Sequence, residues 1–329
     1  MRKKILLIHT GGTIGMIKDK DSGVLKPDSF YKSISNIIPE LSYIAEIITE
    51  IPFVVDSSEL NFKHWSEIAD LIGKYIETVD GVVITHGTDT LTYTASALSF
   101  MLQNLPIPVI LTGAQKPMSE LRTDAKSNLI NAVELATCGI NEVAIFFDDK
   151  LMRGNRSIKK HINHFDAFDS PNYPLLGKVG IDIEIYEKNL LKSKGIFHIF
   201  NKFNHSIAVY KTFPGCSTEY FIPGKNIRAI VLIAYGAGNI PLKNNDLFER
   251  VKAWIKDGKI VALLSETKAG KVDTSLYESG NKLLEAGVIH SKDMTFEAVI
   301  TKLMFLLGQY QDTKLIKKYF KKSLSGEIS

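Results

Sequence analysis

"KKILLIHTGGTIGM", residues 3–16, opens as a short apolar run and closes on three glycines and two threonines. Such a run predicts a buried strand, and the glycines mark where it hands over to a turn. Further along, "AEIITEIPFVV" (45–55), "DGVVITHG" (80–87), "IPVILTG" (107–113) and "NEVAIFF" (141–147) repeat the β-rich pattern, with helical periodicity over 62–78, 90–104 and 124–137 between them. Alternation of this kind predicts βαβ units and a mostly parallel sheet. The pattern loosens in a polar, turn-rich stretch after Phe147. It resumes at "HSIAVYKTF" (205–213), "NIRAIVLIAYG" (226–236) and "GKIVALLS" (258–265), with helices expected over 244–257, 276–286 and 294–308. The fold class expected is α/β in two domains. A larger amino-terminal domain over 1–190, a mostly parallel sheet flanked by helices, is followed by a linker at 191–204 and a smaller carboxyl-terminal α/β domain over 205–329.

Composition narrows the function classes. Against 36 Asp+Glu the chain carries 40 Lys+Arg, and a net charge of +4 over 329 residues is too small a surplus to imply a nucleic-acid partner. The apolar stretch behind the basic start is broken at His9 and the glycines, so it reads as a strand rather than an export signal. No run approaches the ~18 apolar residues of a membrane span. Cys138 and Cys216, far apart, offer neither a disulfide framework nor metal spacing. The expectation is a cytoplasmic protein with two buried thiols.

In open parallel sheets, ligands bind beyond the carboxyl ends of the strands. Those positions read "HTGGTIG" (9–15), "DSSE" (56–59), "THGTDTLTYT" (85–94) and "TGAQKP" (112–117), with "AYGAGN" (234–239) and "SETKAGK" (265–271) in the second domain. A dinucleotide fingerprint ending at Gly15 needs glycine at position 10, which is Thr10, and no Gly-Lys-Ser/Thr follows to make a P-loop. The glycines are then either structural punctuation or a means of exposing the Thr13 hydroxyl beside backbone N–H groups. In "THGTDT", Thr88 and Asp89 either cap the following helix or supply a hydroxyl next to a carboxylate. His86 is expected to order its turn. His161 and His164 share an H-x-x-H spacing without further ligands nearby and read as surface-loop residues rather than a metal site. "KLIKKYFKK" (314–322) reads as a terminal helix packed on the domain.

"TGGTIG" (10–15) and "HGTDTLTYTA" (86–95), in that order, resemble the two signature motifs of the bacterial-type L-asparaginases. "MRGNRSIK" (152–159), "FDAFDSPN" (165–172), "AYGAGNIP" (234–241), "AGVI" (286–289) and "DMTFEAVITKLMFLL" (293–307) are similar to the cytoplasmic type I branch, so the likeness spans the chain. The resemblance implies an amidohydrolase that converts L-asparagine to L-aspartate and ammonia. Thr13 would be the nucleophile that forms an acyl-enzyme, and Thr88, Asp89 and Lys159 would form the second catalytic set. Gly12, Ser57, Ser58, Thr88, Asp89 and Ala114 would bind substrate, with the turns at Thr88–Asp89 and Ala114 as candidates for oxyanion stabilisation. Neither a cofactor nor a metal is implied.

The same resemblance implies a homodimer or a dimer of dimers, in which Asn239 of the neighbouring subunit completes the site. One departure stands out: where the family places a tyrosine in a Gly-Tyr pair after the first motif, this chain has Gly23-Val24, and Tyr31 lies further on. A broader glutaminase-asparaginase, a tRNA amidotransferase component and a non-catalytic amino-acid sensor are the alternative readings.

Overall fold

Residues 4–9 form the strand around which the first half of the molecule is built. In the computed structural model the described residues are 2–18, 25–27, 38–192, 195–241, 246–272 and 278–329. They divide into two compact units, Met1–Asn201 and Lys202–Ser329.

The first unit carries an eight-stranded sheet. In chain order its strands are β1 (Lys4–His9), β2 (Glu46–Glu50), β3 (Gly81–Thr85), β4 (Val109–Thr112), β5 (Val143–Phe147) and β6 (Lys150–Arg153). After a short hairpin, β7 (Ile158–Lys159) and β8 (Phe168–Asp169), come β9 (Gly177–Val179) and β10 (Ile183–Ile185). The spatial order is β10-β9-β6-β5-β4-β3-β1-β2, and β2, β1, β3, β4 and β5 run parallel. β3, β4 and β5 are buried at every residue. Continuous Val/Ile/Phe runs suit this position, because helices cover both faces of a parallel sheet.

The three connections from β2 to β5 each carry a helix: α1 (Phe62–Tyr75), α2 (Leu91–Met101) and α3 (Ala125–Leu135). α1 is amphipathic and buries Trp65, Ile68, Ala69 and Ile72. Its start is fixed by Asn61, whose side chain accepts from Lys63 N, while His64 Nδ1 accepts from Asn61 N. α2 is buried at every residue but Tyr93, which fits its almost wholly apolar and small-hydroxyl sequence.

β6, β9 and β10 add an antiparallel edge that the polar stretch after Phe147 does not advertise. Residues 198–199, within the segment read as a linker, pair antiparallel with Leu102–Gln103 and stay with the first unit. Cys138 corrects an expectation: it follows α3 and is exposed, its Sγ donating to Glu134 O, while Cys216 is buried.

The second unit is a four-stranded parallel sheet, β11 (Ile207–Lys211), β12 (Ala229–Ala234), β13 (Ile260–Ser265) and β14 (Ile289–His290), in that spatial order. The helices α4 (Leu247–Lys256), α5 (Glu278–Glu285), α6 (Phe296–Gln309) and α7 (Thr313–Phe320) accompany it. Leu247, Val251 and Trp254 of α4 pack with Ile230, Leu232, Val261 and Leu263 of the strands. α7 buries Ile316 and Phe320. Among the described residues no helix is long and apolar enough to cross a membrane.

Candidate active site

The first unit gathers its chemistry where β1, β3 and β4 end. Beyond β1 the chain stays bonded to its neighbours: Thr10 N and Thr10 Oγ1 both donate to Thr85 O, and Val55 N donates to Thr10 O. Gly12, with φ of 87°, then turns the backbone into a short 3-10 turn at Thr13–Gly15. A side chain at Gly12 would collide with the Gly87 amide, and one at Gly87 would come within 2.6 Å of Ser57 Oγ. Only glycine permits so close an approach. It brings three segments together, with Thr13, Ser57 and Thr88 each next to or at the contact.

Ser57 is buried, whereas Ser58 is exposed and donates through both its amide and its hydroxyl to Asp56 Oδ1, at 2.8 and 2.7 Å. Those bonds hold the Asp56 carboxyl below its ordinary range. Thr90 Oγ1 donates to Ser57 O at 2.6 Å and ties the second motif to the serine turn, a link the sequence did not suggest. A cleft of about 230 Å³ is lined by His9, Gly11, Gly12, Gly15, Met16, Val54, Val55 and Asp56.

Thr88 and Asp89 precede α2 without capping it: the cap position is Thr90, and no side chain bonds the first turn. Instead Lys159 Nζ donates to Thr88 Oγ1 at 2.8 Å and to Asp89 Oδ1 at 2.7 Å. Lys159 is mostly buried and Asp89 is 68% exposed, so the carboxylate faces outward while the lysine is held inside. Lys159 sits on β7, paired with β8, directly after the turn Gly154–Arg156, whose residues are all buried.

His86 orders this turn. Its Nδ1 lies 2.7 Å from Gly87 O, and its Nε2 lies 2.8 Å from Thr94 Oγ1, which also receives Trp65 Nε1–H at 3.0 Å. A carbonyl can only accept and an indole N–H can only donate. The carbonyl therefore holds a proton on Nδ1, and the neutral ring accepts at Nε2 from the Thr94 hydroxyl. Burial pushes its pKa down from 6.5 to about 4. A depressed value contributes stability that is full above the unfolded pKa and is lost as pH falls through 6.5 towards 4. In urea titrations the difference in unfolding free energy between pH 7 and pH 4 is expected to be smaller in His86→Gln than in the unaltered chain by roughly 3 kcal/mol. Equal pH slopes would show that His86 is not held neutral.

Ala114 is buried in the turn that follows β4. Asn239 belongs to the second unit, on a turn after β12 in which Asn239 N donates to Tyr235 O and Tyr235 N to Asn239 O, with Gly238 at φ 114°. Gly23, Val24 and Tyr31 lie outside the described residues. His161 and His164 are exposed, their rings 4.9 Å apart. Among the described residues no group of three or more His, Cys, Asp or Glu could hold a metal ion.

Comparison with known proteins identifies the family. Residues 4–191 match the family described as "Asparaginase, N-terminal", and residues 206–320 match the "Glutaminase/Asparaginase C-terminal domain". L-asparaginase 1 of Escherichia coli K12 is 38% identical over all of this chain and 98% of its own length. One component of the glutamyl-tRNA(Gln) amidotransferase of Pyrococcus abyssi is 34% identical over 99% of this chain and 77% of its own length. The crystal structure of L-asparaginase I from Vibrio cholerae superposes with a TM-score of 0.90 at 39% identity, covering both chains completely. With both halves matched in order and the fold shared from end to end, this chain belongs to the asparaginase family.

Proposed function

We propose that the chain hydrolyses the side-chain amide of L-asparagine to give L-aspartate and ammonia. The observation that carries this reading is the junction of Gly12, Gly87 and Ser57, with Lys159 bonded to both Thr88 and Asp89. Thr13 Oγ attacks the amide carbon, its proton passes to the departing nitrogen, and ammonia leaves an aspartyl ester on Thr13. Water then cleaves the ester: the Thr88–Lys159–Asp89 set takes a proton from the attacking water and passes it to the departing Thr13 oxygen, which restores the set and the Thr13 hydroxyl.

A free amino acid needs an anion for its ammonium and hydrogen-bond donors for its carboxylate. Asp89 supplies the first. Ser57, Ser58 and the amides around Gly12 supply the second, and Ala114 borders the side-chain amide. Peptide N–H groups of the Thr88–Asp89 and Ala114 turns are the oxyanion donors. Ammonia release from asparagine and glutamine, measured side by side, tests the reading. Faster release from asparagine supports it, and none from either substrate favours a sensor.

The assignment extends to a cytoplasmic homodimer or dimer of dimers in which Asn239 reaches the partner's site. The support is family resemblance and the glycine-bounded turn that carries Asn239. Complementation tests it. Thr13→Ala and Asn239→Ala chains, each inactive, are unfolded, mixed and refolded together. A mixed dimer sharing its sites has one site with both defects and one with neither, so random pairing restores roughly a quarter of the sites. Verified mixed dimers with no more activity than their parents would exclude a shared site.

A further inference from the structure

Asp124 stands immediately before α3, where an aspartate ordinarily caps the helix, yet its carboxylate makes no cap bond. Thr123 Oγ1 accepts from Ala125 N instead. The carboxylate, almost fully buried, is turned back onto the Gly113–Lys116 turn. Its Oδ1 accepts from Gln115 N and Lys116 N, each at 3.1 Å, and its Oδ2 accepts from Gln115 N at 2.9 Å and from Asn128 Nδ2 at 3.2 Å. Asn128 Nδ2 also donates to Gly113 O at 3.0 Å, and its Oδ1 accepts from Asp148 N at 3.1 Å. Thr123 Oγ1 donates to Lys116 O. The backbone on both sides of Ala114 is thus bonded to side chains at 123, 124 and 128.

The clamp extends further. Gln115 Nε2 donates to Ile162 O at 3.1 Å and to His164 O at 2.9 Å, both in the loop that follows Lys159. One buried carboxylate therefore fixes the turn that holds Ala114 and, through Gln115, the loop behind Lys159.

We infer that Asp124 is a positioning residue that sets the preference for asparagine over glutamine, by holding the Ala114 turn and the Lys159 loop at a fixed separation. This rests on the proposed amidohydrolase reading, with Ala114 beside the side-chain amide. Glutamine is one methylene longer and can present its amide carbon to Thr13 only if that border yields. A turn bonded at Gly113 O, Gln115 N, Lys116 N and Lys116 O does not yield readily, and a misfit of one methylene is worth about 10- to 200-fold in discrimination.

The test uses Asp124→Asn, which keeps the shape but turns an amide NH2 towards backbone N–H donors, and Gln115→Met, which keeps the length but removes the donors to the loop. Readouts are kcat and KM for asparagine and glutamine, calorimetric affinities for L-aspartate and L-glutamate, and Tm. Asp124→Asn is expected to lower kcat/KM for asparagine by about 10- to 100-fold and for glutamine by less. The asparagine:glutamine ratio, and with it the aspartate:glutamate affinity ratio, should fall at least about fivefold. Gln115→Met is expected to lower kcat several-fold at unchanged Tm.

A role confined to stability would lower Tm and leave both ratios in place, and that outcome overturns the inference while leaving the proposed reaction intact. Should Asp124→Asn not fold, an unaltered kcat in Gln115→Met overturns it equally. An unaltered chain that neither releases ammonia nor binds aspartate would overturn the proposed function, and this inference with it.

Discussion

Thr13→Ala is expected to lower kcat for asparagine by at least about a thousandfold without unfolding the protein. The substitution deletes one hydroxyl from a half-buried position and adds no bulk. The turn around it is made by Gly12, which has its own positive φ, and by Gly15 N donating to Gly12 O, neither of which uses the threonine side chain. Losing the nucleophile removes the covalent route entirely, and such losses cost orders of magnitude in rate. Steady-state ammonia release with a matched Tm checks this. A residual rate within about tenfold of the unaltered protein, only ~1.4 kcal/mol of barrier, is incompatible with nucleophilic attack by Thr13.

The second large effect concerns the pair that Lys159 joins. Thr88→Val and Lys159→Met are each expected to reduce kcat by about a hundredfold or more, the range for loss of a positioned proton-transfer group. Because Lys159 Nζ bonds Thr88 Oγ1 directly, removing either partner disables the other, so the double variant should be little worse than the poorer single. Single-turnover rates read this coupling. Multiplying effects would mean that the two residues act independently. Stability should change little in Lys159→Met, since Asp89 is 68% exposed and keeps its hydration when the lysine is lost.

The parallel core was legible because burial on both faces forces apolar runs. "KILLIH", "GVVIT", "VILT" and "VAIFF" are strands whose composition leaves no other role. The strands "KLMR", "GKV" and "IEI" at the antiparallel end of the sheet were not, since they are too short to show a period and each carries a charge, the Arg153 of the buried "KLMR" being paired with Glu142. Cys138 was misplaced for a similar reason: α3 ends at Leu135 and the chain turns outward before Gly139, which a thiol three residues past a helix does not reveal.

The strand-end motifs marked where to look in the first unit, but not how the parts meet. That Gly12 packs on Gly87 and Gly87 on Ser57 depends on the spatial order β4-β3-β1-β2, in which β1 lies between β3 and β2. Lys159 entered through family likeness alone, because nothing in the spacing of "MRGNRSIK" ties it to residues 70 positions earlier. Asp124 and Asn128 gave only an acid four residues before an amide at a helix start, a pattern that reads as capping until the side chains are seen to turn the other way.

The most direct test of the account is to catch the ester. Mixing the protein with excess asparagine, quenching in acid within the first turnovers and digesting for mass analysis should reveal one aspartyl group on the peptide that carries Thr13. The adduct should accumulate in Thr88→Val, where its hydrolysis is slowed, and be absent from Thr13→Ala. An aspartyl group on any other residue, or a burst of ammonia with no adduct at all, would contradict Thr13 as the nucleophile.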